Sequence, residues 1–343
     1  MAGNNQHHVW QMLQRGFGEK RGKDHHVWVY SKTEPARQTA TRLFGAEKHF
    51  YGPEGSLADL NITKYENENQ STIQEIRRLP NGADVDREFA ANLIAHLELR
   101  SAFLREDASE KMQQAMTELL RQFTSPKELR AAMVNYLKGN PDKLDKFLGK
   151  EFIPVNQRAG FVEIIHRLIE TLPEEKILEH FSADFFPINQ FIEEFPSIMN
   201  ASQNRILGEN EDFPLRAKLH MQKQYSVLRP ASGSFILPDT TLAFIKKKGA
   251  SPFIDKNDNI EAVVLPIAHD VAIIGRSGVN TNYPLKAINR ILAGCSFKAF
   301  IAREQSLQWQ GLTKRIGKYA RLISDRDLNR IISSALLSHH KPS

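Results

Sequence analysis

His7, Gln11 and Arg15 stand four residues apart in HHVWQMLQRGF. A helix through them would stack an imidazole, an amide and a guanidinium on one face. Together these groups can donate to a phosphate or carboxylate, and the imidazole supplies one group that titrates near neutrality. The plainer alternative is the polar outer face of a short helix. Further along, Arg100 falls within an apolar stripe of Phe89, Leu93, Leu97 and Leu104. A guanidinium in such a stripe must have its charge compensated. The preceding segment offers a partner, since Glu66 sits among Ile62, Asn69, Ile73 and Ile76 at matching spacing. Either the two form a structural ion pair between packed helices, or they line a polar pocket that binds substrate.

The elements that must position these residues follow from pattern. Val9, Met12, Leu13 and Phe17 have helical spacing, so the first HHVW opens a helix. The second HHVW continues as HVWVYSK, alternating and rich in β-branched and aromatic residues after the turn KRGKD, and reads as a strand. The two copies lie on different elements and are not a repeat. From Leu57 the chain becomes helical, first up to the Pro-Asn-Gly stop at Pro80 and then along DVDREFAANLIAHLELRSAFLRE. Further helices are expected at ASEKMQQAMTELLRQF, SPKELRAAMVNYLKGNPDK, QRAGFVEIIHRLIETL and EEKILEHF. Near Ser226 the pattern changes to apolar β-branched segments, YSVLRPASGSFILPDTTLAFI and EAVVLPIAHDVAIIGRSG. A helix at YPLKAINRILAGCSFKAFIARE and a basic amphipathic helix or pair of helices from Leu312 complete the chain. The expected fold is α+β: one domain over residues 1–343, with a largely helical middle (57–225). The N-terminal segment (1–56) and the C-terminal segment (226–343) supply strands to a small mixed or antiparallel sheet.

Charge is distributed unevenly among these segments. The 343 residues carry a net charge of +6. Residues 1–52 hold +4, residues 53–212 hold −10 and residues 213–343 hold +12. Basic ends either pair with the acidic middle or form a surface for a polyanion. The lone Cys295 excludes an internal disulfide and a multi-cysteine zinc site, which fits a reducing cytoplasm. No signal-peptide pattern and no membrane-length apolar run is present, so a cytoplasmic protein without membrane contact is expected. The phosphate loop GxxxxGK[ST], a strand-linked GxGxxG, the GxSxG elbow and the zinc motif HExxH are all missing. The paired histidines have no metal-ligand spacing, so no protein-held metal cluster is expected.

HHVWQMLQRGF resembles the opening of a bacterial family known as domain of unknown function 4238, which begins His-x-x-x-Gln-x-x-x-Arg-x-Phe. His7, Gln11, Arg15 and Phe17 match it. The resemblance continues through VWVYSK and AEKHFYG, with Glu47, Lys48, Phe50 and Tyr51, to Glu66 and Arg100. Asp239 and Asn289 match near the other end, although Leu237, Pro238, Thr240 and Thr241 depart from the family's Thr-Ser-Asp-Asn-Pro strand end. The resemblance implies a single domain in which these polar residues converge on one site.

Those residues allow a concrete expectation: a ribonuclease-type phosphodiesterase. His7 would be the general acid or base, with Gln11 beside it, and Arg15, Lys48 and Arg100 would stabilise the transition state. Glu66 and Asp239 would orient His7 or bind one Mg²⁺. Tyr51 and Asn289 would contact substrate. Lys314, Arg315 and Lys318, with Trp309 and Tyr319 interleaved, would hold the backbone and stack on the bases of a nucleic acid, RNA ahead of DNA. The alternative is a non-catalytic module that binds a nucleotide, a nucleic acid or a protein partner.

Overall fold

Val, Ile and Leu fill IEAVVLPIA and VAIIGR almost without interruption, the composition of strands buried on both faces. These residues form an antiparallel hairpin, β10 (Ile260–Ala268) and β11 (Val271–Arg276), turning at His269–Asp270. The register slips between Pro266 and Ala268, where proline has no N–H to give to the ladder. The hairpin is the centre of a five-stranded sheet ordered β6-β11-β10-β8-β9, with β6 at Gln224–Leu228, β8 at Ala243–Lys246 and β9 at Ala250–Ser251.

The computed structural model describes residues 5–123, 193–209, 212–255, 258–278 and 283–322, with isolated positions between 154 and 173. Met1–Ala108 with Ser197–Leu322 make one compact unit; Ser109–Pro196 with Ile323–Ser343 make a second. The helices expected at 125–143, 157–172 and 174–181 lie outside the described residues, as does the expected basic C-terminal helix beyond Leu322. Its described start is not α-helical, since a helix that ends at Leu312 gives way to a 3-10 turn over Thr313–Arg315 and then to non-helical chain up to Leu322. All that follows concerns the first unit.

The fold is α+β, with three small antiparallel sheets and strands from both ends of the sequence. The second sheet joins those ends. In it β3 (Asp24–Ser31) pairs with β12 (Ala299–Ala302), Trp28 opposite Ala302, and β12 pairs in turn with β7 (Leu237–Pro238). On β3 also lie β2 (Glu19–Arg21) and β4 (Arg37–Ala40). The third sheet is the pair β1 (Asn5–His7) and β5 (Ala46–Lys48). One apolar core contains Val9, Leu13 and Phe17 together with Ile73, Leu265 and Ile301.

Three further helical expectations are corrected. The helix α1 covers only Gln11–Arg15, with Trp10 as its N-cap; His7 is in β1 and does not share a helical face with Gln11 and Arg15. The i, i+4 spacing was real, but His8 donates its N–H to the Gly45 carbonyl and the chain stays outside the helix there.

The long helix through DVDREFAANLIAHLELRSAFLRE is two helices, α3 (Arg87–Leu99) and α4 (Ala102–Phe123). The amide of Gln203 donates to the Leu99 and Ser101 carbonyls at 2.7 and 3.0 Å, satisfying acceptors freed by the break. Beyond the break α4 carries Arg105, whose Nη2 donates to the Phe50 carbonyl at 2.9 Å.

Finally, YPLKAINRILAGCSFKAFIARE holds a shorter helix, Leu285–Cys295, followed by β12; Ser296 takes an extended backbone and ends the helix.

The other helices are capped as their sequences suggest. Ser56 accepts from the Asp59 N–H at the start of α2 (Leu57–Ile76), and Asp86 accepts from the Phe89 N–H at 2.7 Å at the start of α3. At the far end of α2, Arg77 donates to the Ile267 and Met12 carbonyls at 2.9 Å each, tying helix, strand and α1 together. The helix α5 (Asp212–His220) is pinned to α3 through a fully buried Glu98. That carboxylate receives Arg216, the Ile254 N–H at 2.9 Å and His220 Nε2 at 3.1 Å. Among the described residues no helix is long and apolar enough to cross a membrane.

Candidate functional site

The polar residues singled out at the N-terminal end form a network that spends its donors on the chain itself. Gln6 is buried on β1; its oxygen accepts from the Tyr51 N–H at 2.6 Å and its nitrogen donates to the Gly52 carbonyl at 3.1 Å. Tyr51 Oη then donates to the His7 carbonyl at 2.9 Å, and Arg100 Nη2 donates to the same carbonyl. Arg100 Nε reaches Tyr51 Oη at 3.0 Å, Nη1 is 2.7 Å from Glu66 Oε1, and His96 Nε2 is 3.3 Å from that same Nη1. Arg100 is entirely buried, while the Glu66 side chain keeps a quarter of its surface exposed. The pairing anticipated from the two helical stripes is therefore present, and its geometry is that of a structural clasp.

This clasp sets the electrostatics of His7. Burial, with Arg100 adding to it, lowers the imidazole to about 4, against the pull of the Thr41 and Arg42 carbonyls. The ring is neutral at physiological pH, so it has no imidazolium proton to give as a general acid, and the lowered pKa makes it a weak general base. Gln11 and Arg15 are occupied with each other, Arg15 Nη2 donating to Gln11 Oε1 at 2.8 Å on the surface. Lys48 is exposed on β5 opposite Asn5.

Asp239 lies elsewhere, just after β7. Its Oδ1 accepts from the Phe297 N–H at 2.7 Å, and its Oδ2 accepts from the Lys298 and Ala299 N–H groups at 2.7 and 2.9 Å. Burial raises the group to about 6, with Glu106 adding to the rise and the three N–H groups opposing it. The histidine that shares a cleft with Asp239 is His8, not His7. The cleft, about 180 Å³, is also lined by Glu47, Phe103, Glu106 and Lys298. Lys298 is paired with Glu106. Burial, followed by Arg100 and Arg105, lowers His8 to about 3, and its buried Nδ1 has no hydrogen-bond partner among the described residues. No group of three His, Cys, Asp or Glu side chains among the described residues is placed to hold a metal ion.

A larger cleft, about 330 Å³, opens where the helix α6 (Leu285–Cys295) meets α7 (Leu307–Leu312) and the 3-10 turn Thr313–Arg315. On α6, Ile288, Leu292 and Cys295 face the core, leaving Lys286 and Arg290, one turn apart, exposed at the cleft. Arg315 joins them from the 3-10 turn. Its Nε donates to the Arg290 carbonyl at 3.1 Å and its Nη2 lies 3.5 Å from Tyr319 Oη, which fixes the guanidinium plane. Gln308, Gly311 and Leu312 form the facing wall. Three cations line this cavity and no carboxylate does. Asn289 also borders it, but its amide is committed to the Ile236 N–H at 3.2 Å and the Ser234 carbonyl at 2.8 Å. Lys314 and Lys318 are exposed but do not line it.

The stacking role expected of the aromatics is corrected here. Trp309 is buried, with Nε1 donating to Glu304 Oε1 at 3.2 Å. Tyr319 packs onto Gly294, where an added Cβ would lie 2.5 Å from the ring. Trp309 presents no face to a base, and Tyr319 is half-buried and lies outside the lining of the cleft.

Lys286, Arg290, Gln308 and Gly311 were missed in the sequence, although the four-residue step from Lys286 to Arg290 on the polar side of an amphipathic helix was there to be read. His8, Glu106 and Lys298 were missed because nothing in their spacing links them. No family model matches the chain, and no curated protein or solved structure matches it. The resemblance at the N-terminus rests on the residues quoted for it alone.

Proposed function

We propose that the chain is a phosphate-binding module for a nucleic-acid ligand, held in the basic cleft of Lys286, Arg290 and Arg315. The observation that carries this reading is the convergence of three cations from two elements on one cavity lined by no carboxylate. Such a site attracts phosphate over long range and pairs with it on contact, Arg315 through a fixed guanidinium fork. Cleavage is less well supported. Arg100 and Tyr51 are spent on the His7 carbonyl, Asp239 on three backbone N–H groups, and His7, its pKa lowered by burial and Arg100, is a weak base and no imidazolium acid at neutral pH. With no aromatic platform at the cleft, RNA and DNA should bind through the same phosphates and compete with each other.

Fluorescence anisotropy with labelled single-stranded RNA and DNA across a salt series tests the reading. Affinity should fall steeply with salt, and Arg290→Gln should reduce the slope of log K against log salt by about one. The RNA should remain intact with Mg²⁺ or EDTA. Absence of binding at low salt would remove the reading, and accumulation of cut product would return the phosphodiesterase to first place.

A further inference from the structure

Resting on that phosphate reading, we infer that the cleft takes a terminal phosphate, the monoester at the 5′ end of an oligonucleotide, and does not track a running backbone. The first ground is shape. The cavity of about 330 Å³ is bounded on one side by the α7 wall of Gln308, Gly311 and Leu312 and open to solvent on another. That is near the lower end of small-ligand pockets, roughly the space of ten water molecules. It holds one phosphate with part of its sugar.

The second ground is charge. A phosphomonoester carries about −1.5 to −2 at neutral pH, against −1 for a diester linkage. Lys286, Arg290 and Arg315 bring three positive charges to this one point. No carboxylate among the described residues is paired with Lys286 or Arg290. A backbone track would instead spread its cations along a groove and add aromatic faces for the bases. Here Trp309 is buried, Tyr319 is half-buried against Gly294, and neither of them nor Lys314 or Lys318 lines the cavity.

The third ground is the gap in the wall. Gly311 lies within α7, and a Cβ built there meets no atom within 4 Å. A side chain at this position would fill ligand space without striking the protein, and leaving helical glycine for leucine does not penalise the helix.

The test uses the full chain and one short single-stranded RNA, labelled at its 3′ end and made with either a 5′-phosphate or a 5′-hydroxyl. The phosphorylated form should bind about tenfold tighter or more, a difference of about 1.4 kcal/mol per factor of ten. Gly311→Leu should abolish that preference, lowering the affinity of the phosphorylated RNA to that of the 5′-hydroxyl form or below it, while leaving the melting temperature unchanged; Arg315→Gln is the second variant should leucine disturb folding. Competition with adenosine monophosphate separates the sources of the group. Displacement only at concentrations far above those of the phosphorylated RNA supports the oligonucleotide end, and displacement at equal concentration overturns it in favour of a small phosphorylated ligand. Equal affinity for the two RNA ends overturns end recognition and leaves the phosphate reading standing. No binding of either RNA overturns both.

Discussion

Around Arg100 each guanidinium nitrogen faces a group of the protein: Tyr51 Oη at 3.0 Å, Glu66 at 2.7 Å and the His7 carbonyl. Around Arg290 the guanidinium is exposed beside Lys286 and Arg315 at the rim of a cavity. Both arginines sit on or at the end of amphipathic helices, and both carry the donors an anion needs. What separates them is whether donors remain once the fold has been satisfied. A buried cation must be fully compensated for the fold to tolerate it, and full compensation leaves nothing for a ligand. An exposed cation on the rim of a cleft is hydrated, and that water can be exchanged for phosphate oxygens.

The comparison breaks most visibly at Arg100. Arg100→Met should destabilise the protein by roughly 3–5 kcal/mol, because Glu66 and the His7 carbonyl lose their partner in the interior. Arg290→Gln should stay within about 0.5 kcal/mol of wild type, as exposed substitutions do. Thermal and denaturant melts of both variants measure the contrast, and equal stabilities would erase the distinction between clasp and cleft.

A smaller effect sharpens it through pH. His7 and His8 are held at about 4 and about 3 in the folded chain, below the 6.5 of an unfolded histidine. Between those values the unfolded state binds more protons than the folded state, so stability is full above about pH 6.5 and drains away as the pH falls toward 4. His8→Gln should retain more of its neutral-pH melting temperature at pH 4.5 than wild type does. Parallel loss in both proteins would show that the imidazole is solvated after all.

The smallest effect concerns Trp309. Trp309→Phe deletes the hydrogen bond to Glu304, worth about 1 kcal/mol of stability, and should leave oligonucleotide affinity where it was. A marked loss of affinity, measured by the same anisotropy titration, would restore the indole as a stacking surface.

Much of the fold was legible because it depends on local pattern. The alternation in HVWVYSK and the apolar runs on either side of His269 read as strands, and the chain turned helical at Leu57 as its pattern indicated. The misread boundaries share a cause. Helical periodicity runs on through Arg100–Ser101 and through Ser296, while the interactions that end the helix come from distant residues such as Gln203 and from the strand partner β3. The Glu66–Arg100 pair was visible because both members lay on patterned stripes. The Lys286–Arg290–Arg315 cleft was not, since its third member arrives through the placement of α7 and the 3-10 turn, which no spacing in the sequence encodes.

The pairing of β3 with β12 imposes an order on the making of the molecule. Trp28 leaves the ribosome some 270 residues before its partner Ala302. At about 5–20 residues per second, tens of seconds of synthesis separate the two. Throughout that interval the edge of β3 that β12 will cover has its backbone amides and carbonyls open to any other extended chain. The nascent protein is consequently most vulnerable to misassociation while its first strands are complete and its last one is still unmade. A chain halted ahead of residue 299 would carry that vulnerability permanently.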